Sequence, residues 1–241
     1  MVVVNRGELE RATELLEESL ALSQEAGSVR GAAISHWGLA VRCIMGGDFR
    51  RATELLEEAL TLSRESGDPW VISGILTHLG ETFLLQGDLE RATAANEEAV
   101  AMLREQKHRA LLADALDNLG WVALLRGDPD QAKALYAESL RLRREVGEKL
   151  MIGNSLQALA SAAAARGEAE RTAKLFGAVE MLDEVMGGSQ ATEDDTLHGP
   201  YLAAARSQLD EAAWQEAWAE GRAMTIDKAI SYALEEEEAS G

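Results

Sequence analysis

The residues able to do chemistry in this chain are few and scattered. The histidines stand at His36, His78, His108 and His198, and the single cysteine is Cys43. A structural or catalytic metal needs several such groups at close spacing, and the sequence offers no set of that kind. His36 and His78 fall on successive units of the pattern below, where a packed or solvated pair is the expectation. Cys43 reads as a small buried residue. The phosphate-cradling Gly-x-x-x-x-Gly-Lys-Ser/Thr, the zinc-binding His-Glu-x-x-His, the redox Cys-x-x-Cys and the Gly-x-Ser-x-Gly nucleophile turn are all absent. The chain is therefore read as a non-enzyme that needs no cofactor and no metal.

Composition narrows the partners further. The 241 residues carry a net charge of −19, against the basic face that phosphate neutralisation requires, so nucleic acid is not expected as a ligand. A charged partner would be cationic. Met1-Val2-Val3-Val4-Asn5 is too short for a signal-peptide core. No apolar run approaches the roughly 20 residues that span a bilayer. A cytoplasmic location without a membrane partner is expected, and the lone cysteine fits a reducing compartment.

What must position any functional residue is a repeat. Gly7-Glu8-Leu9-Glu10-Arg11-Ala12 returns as Gly47-Asp48-Phe49-Arg50-Arg51-Ala52, Gly87-Asp88-Leu89-Glu90-Arg91-Ala92, Gly127-Asp128-Pro129-Asp130-Gln131-Ala132 and Gly167-Glu168-Ala169-Glu170-Arg171-Thr172, 40 residues apart each time. A fixed period of this length marks stacked supersecondary units. With 3 prolines, and apolar residues spaced three and four apart, every unit reads as helical. The spacing predicts a helix over 8–26, then hairpins over 31–46 and 48–66, 71–86 and 88–106, 111–126 and 128–146, 151–166 and 168–186. In each hairpin a glycine ends the first helix, and Asp48, Asp88 or Asp128 caps the second, with Glu168 a weaker cap. The first helix lacks its partner, so the chain is expected to start in mid-repeat, as a piece of a longer protein. Its apolar face should be partly uncovered, which would let two copies pair through that open repeat.

Leu39-Ala40, Leu79-Gly80, Leu119-Gly120 and Leu159-Ala160 recur in the first helices, with Ala52, Ala92, Ala132 and Thr172 as matching small residues in the second. Phe83 follows Gly80 by three positions and Ala92 follows it by twelve. Leu56, Asn96, Tyr136 and Phe176 then share an aromatic position, and Ala59, Ala99, Ser139 and Val179 a small one. On these residues the chain resembles the tetratricopeptide repeats over 8–186, in a version with longer helices and without the closing proline. The tail around Lys174–Glu180 and Ala213–Leu234 resembles the C-terminal end of multidomain bacterial signal-transduction ATPases and LuxR-type transcriptional regulators. The resemblance implies an all-α, right-handed superhelical array of antiparallel helix hairpins. Residues 1–186 would form the array, with an incomplete first repeat and about four full hairpins. Residues 187–241 would add a polar loop over 187–200 and capping helices over 201–220 and 226–237, within the same domain. The acidic run from Glu235 to Glu238 should fray.

Carried over from the Leu-Gly landmark, the resemblance places Ile34, Trp37, Val41; Gly74, Thr77, Glu81; Asp114, Asp117, Trp121; and Asn154, Gln157, Ser161 on the concave strip. Trp37, Thr77, Glu81, Asp114, Asp117, Trp121, Asn154 and Gln157 are the candidate binding residues. Aromatic area beside polar groups suits a peptide or a small polar inducer. None of the twelve positions is Lys or Arg, so a neutral or basic protein or peptide is expected rather than an acidic peptide end. The implied role is the sensing, non-catalytic C-terminal part of a cytoplasmic bacterial transcriptional or signalling regulator, with that regulator's other domains among its partners. The competing role is a passive assembly scaffold.

Overall fold

The structure is a computed structural model, described for residues 6–186 and 197–235. The described residues form twelve α-helices. They are α1 (Arg6–Glu25), α2 (Val29–Met45), α3 (Phe49–Ser66), α4 (Pro69–Leu85), α5 (Leu89–Gln106), α6 (Arg109–Leu125), α7 (Pro129–Val146), α8 (Lys149–Ala165), α9 (Ala169–Met186), α10 (Gly199–Arg206), α11 (Glu211–Arg222) and α12 (Ile226–Ala233). Among the described residues no helix is long and apolar enough to cross a membrane.

The turns follow from local chemistry. Gly47, Gly87, Gly127 and Gly167 have φ of 77 to 79°, the left-handed region open to glycine at no steric cost. The next residue then caps: Asp48, Asp88 and Asp128 accept from the amides of Arg51, Arg91 and Gln131. Glu168 is engaged elsewhere, by Arg166 and Arg171. Between hairpins Ser28 accepts from Gly31 N and Asp68 from Trp70 N, with Pro69 at the first helical position. Because these residues open the first-type helices, α2 and α4 begin two residues before their apolar spacing does.

Two compact units divide the chain between Leu119 and Gly120, inside α6. In the first unit consecutive helices pack as antiparallel pairs from α1 to α5. Ala33, Ala40, Ala52, Leu56, Ala59, Val71, Ile75, Ala92, Ala99 and Leu103 are fully buried there. Asn96 occupies the aromatic position of its repeat and is fully buried against Gly80, where a β-carbon would overlap its amide. Its Nδ2 donates to Ala92 O, and its Oδ1 accepts from Asn118 Nδ2, which also reaches Thr77 O. The apolar face of α1 is partly open, with Leu15 at 48% and Leu22 at 57% exposure.

In the second unit α7, α8 and α9 continue the consecutive pairing, and α10, α11 and α12 close over them. The tail differs from expectation in its helix boundaries. The helix expected over 201–220 is two helices, because the chain leaves helical register at Ser207 and Asp210 starts α11 afresh by accepting from Ala213 N. Thr225 caps α12 through Lys228 N, as its position suggested. That helix stops at Ala233, with Glu235 in the left-handed region and paired to Lys133. Of the loop expected over 187–200, residues 187–196 lie outside the described residues and Gly199 and Pro200 belong to α10 instead; the acidic run beyond Glu235 also lies outside the described residues.

Candidate functional site

In the first unit, α2 and α4 bring Trp37 onto its neighbour. The ring of Trp37 lies over Gly74, in the space a β-carbon there would take. It makes edge-to-face contacts, at centroid distances of 5.6 Å, with both Trp70 and His78. Its Nε1 donates to His78 Nδ1 at 3.3 Å. The same nitrogen lies 3.0 Å from Gly74 O, so the tautomer that accepts from the indole leaves that carbonyl to the helix. Trp70, at the start of α4, is 41% exposed. His36 does not join this group: its Nδ1 sits within ion-pair distance of Glu58, 3.4 Å, but outside hydrogen-bond geometry.

One turn along α4 from His78 stands Glu81, half-buried. Burial pushes its carboxyl above the usual carboxylate range, Asp114 adds to the rise and His78 opposes it. Among the described residues the Glu81 carboxylate has no hydrogen-bond or ion-pair partner. Asp114 and Asp117 are half-buried on α6 and both are engaged in polar interactions. Thr77 is buried, and its hydroxyl donates to Ser73 O, so it presents no free polar group to a ligand. Trp37, His78, Glu81 and Asp114 thus form one linked group.

In the second unit Trp121, of α6, is 8% exposed. It packs edge-to-face on Tyr136 of α7 at 6.1 Å, and its other neighbours are His198 at 4.9 Å and Tyr201 at 6.2 Å. His198 reaches past it to α8, where its Nδ1 and the Ser161 hydroxyl are 2.9 Å apart. Asn154 is exposed, with Nδ2 3.8 Å from Met151 Sδ. Gln157 is half-buried, and its backbone oxygen accepts from Ser161.

Four participants were not among the candidate binding residues read from the sequence. His78 neighbours the landmark position Thr77, and Trp70 follows a helix-initiating proline; an aromatic at a helix start was the available signal. His198 and Tyr201 carried no such signal, since their contacts with Trp121 join residues far apart in the sequence. Cys43 is half-buried, and burial together with Asp48 raises its thiol, which favours the protonated form. No group of three or more metal-ligating side chains occurs among the described residues.

Solved structures show the same architecture. BtubC (BKLC) from P. vanneervenii matches with a TM-score of 0.67 at 19% identity, over 97% of this chain and 94% of that one. A putative kinesin light chain of TPR-like repeats from Podosopora anserina matches with a TM-score of 0.56 at 20% identity, over 80% of this chain and 93% of that one. No curated protein sequence matches the chain. The family model described as the MalT-like TPR region matches residues 1–221, and on that match, with the helix-hairpin fold, the chain belongs to the MalT-like TPR family.

Proposed function

We propose that this interaction module takes up a cationic segment of a protein or peptide at the first unit, as the sensing part of a bacterial signalling or transcriptional regulator. The carrying observation is Glu81, a half-buried carboxylate without a partner, held beside Asp114 and the Trp37–His78 pair. A buried carboxylate in this state is costly until a cation neutralises it. A lysine or arginine side chain supplies that charge, and the Trp37 ring, joined to this group through His78, offers apolar area to the neighbouring part of the segment. Regulation would follow if the ligand bound one arrangement of the parent protein more tightly than another.

The test is titration of an arginine-rich peptide, followed by tryptophan fluorescence and calorimetry. Affinity should fall at least tenfold in Glu81→Gln and in Asp114→Asn, and should weaken with salt. Unchanged affinity in Glu81→Gln would move the site elsewhere. A second reading, an assembly scaffold, is favoured by the exposed Leu15 and Leu22 on α1. In that case mass would rise with concentration, and no ligand would alter the fluorescence.

A further inference from the structure

We infer that the ligand strip of the second unit is occupied in cis by α10, which acts as a displaceable internal ligand. The inference rests on reading this strip as a ligand surface. Trp121 and Ser161 are equivalent positions of successive repeats, 40 residues apart, and one imidazole engages both. His198 lies 4.9 Å from the Trp121 ring and 2.9 Å from the Ser161 hydroxyl, while Tyr201 covers a further side of Trp121. An aromatic ring on an indole, with a hydrogen bond fixing its orientation, is what a bound peptide side chain would present.

The way α10 is held differs from the way α11 is held. In α10 the buried side chains are Leu202 and Ala205, while Pro200, Ala203, Ala204 and Arg206 are exposed. His198 stands at the cap position but gives no side-chain cap; its ring goes to Ser161 instead. By contrast α11 meets α9 backbone to backbone at Gly177 and Gly221. Trp218 Nε1 donates to Glu180 at 2.5 Å, Arg222 to Glu184 at 2.6 Å, and Lys174 pairs with Glu220 at 2.8 Å. Local opening follows the density of such contacts, so α10 should leave while α11 stays. The competing ligand is a short peptide with an aromatic or imidazole side chain, seated on Trp121 and Ser161.

The experiment labels the whole chain with 5-fluorotryptophan and assigns Trp121 by its loss in Trp121→Phe. Two variants undock α10 by different routes: the pair His198→Ala with Tyr201→Ala, and Ala205→Arg. In both, the Trp121 signal should shift and gain a solvent isotope effect, while the Trp214 and Trp218 signals hold. The probe in trans is the synthetic peptide of residues 197–207, Leu-His-Gly-Pro-Tyr-Leu-Ala-Ala-Ala-Arg-Ser. It should bind the undocked variants at least tenfold more tightly than the native chain and return the Trp121 signal towards its native position. If Trp214 and Trp218 move together with Trp121, α10 is an inseparable part of the cap and the inference fails. If Trp121 opens but the peptide does not bind, the second strip is no ligand surface; the arginine-rich peptide at Glu81 reports separately on the first unit.

Discussion

Gly177 of α9 and Gly221 of α11 each rest on the backbone of the other helix: a β-carbon at Gly177 would meet Trp218 O, and one at Gly221 would meet Lys174 O. Glycine is used here for close approach, since both positions are helical. Backbone cannot yield as a flexible side chain can, so a methyl group would separate the helices and loosen the Phe176–Trp218 stack, whose rings lie 6.4 Å apart. Overpacking of this kind costs about 1–3 kcal/mol. Gly221→Ala should lower the unfolding free energy by that much in urea titration; a neutral result would show that α11 does not pack as described.

Lys107 illustrates the opposite case. It holds the interhairpin position that Gly27, Gly67 and Gly147 hold elsewhere, at φ 56°, and its amide caps α5 by donating to Arg104 O and Leu103 O. A non-glycine residue in left-handed backbone carries roughly 1 kcal/mol of strain, partly offset by the lower entropy of its unfolded chain. Lys107→Gly should therefore stabilise the first unit by up to about 1 kcal/mol in thermal unfolding. Loss of stability would mean that the lysine side chain makes a compensating contact.

The Asn96–Asn118 pair predicts a penalty from a lost hydrogen bond. Removing the Asn118 amide leaves the fully buried Asn96 Oδ1 without its donor. An unsatisfied buried acceptor costs about 1–3 kcal/mol. Asn118→Ala should show that loss by denaturant unfolding, whereas Asn118→Ala combined with Asn96→Leu should recover part of it.

The same pair marks how far the sequence could be read. The 40-residue period, the Gly-Asp turns and the small residues set the helices of the array to within two residues, because those features act locally. Asn96 was visible as a departure from an aromatic position, but its partner was not, since Asn118 lies on another repeat. Trp37 was legible as a strip residue, while its contact with Trp70 and His78 depends on Gly74 admitting the ring. The contact of His198 and Tyr201 with Trp121 is long-range in sequence, and no periodicity encodes it. The break at Ser207–Asp210 was readable in principle, for Asp210 is a good capping residue, yet apolar spacing alone carried the helix through it.

Glu81 gives the pH dependence. Its carboxyl is raised in the folded chain from an ordinary value of 4.5, chiefly by burial, so the folded state holds that proton more tightly than the unfolded state does. Ionising Glu81 then destabilises the fold: the penalty is absent below the unfolded value, grows as pH climbs past it, and is complete above the folded value. Glu81→Gln cannot ionise and escapes the penalty. The melting temperature of the variant should match that of the parent near pH 4 and exceed it at pH 7, with the gap opening over the interval between. A cationic peptide should reverse the order at pH 7, stabilising the parent more than the variant, because the buried charge that costs the free chain is the charge the ligand neutralises. A gap that stayed constant with pH would show that Glu81 titrates as an ordinary surface carboxylate and holds no unmet charge for a ligand.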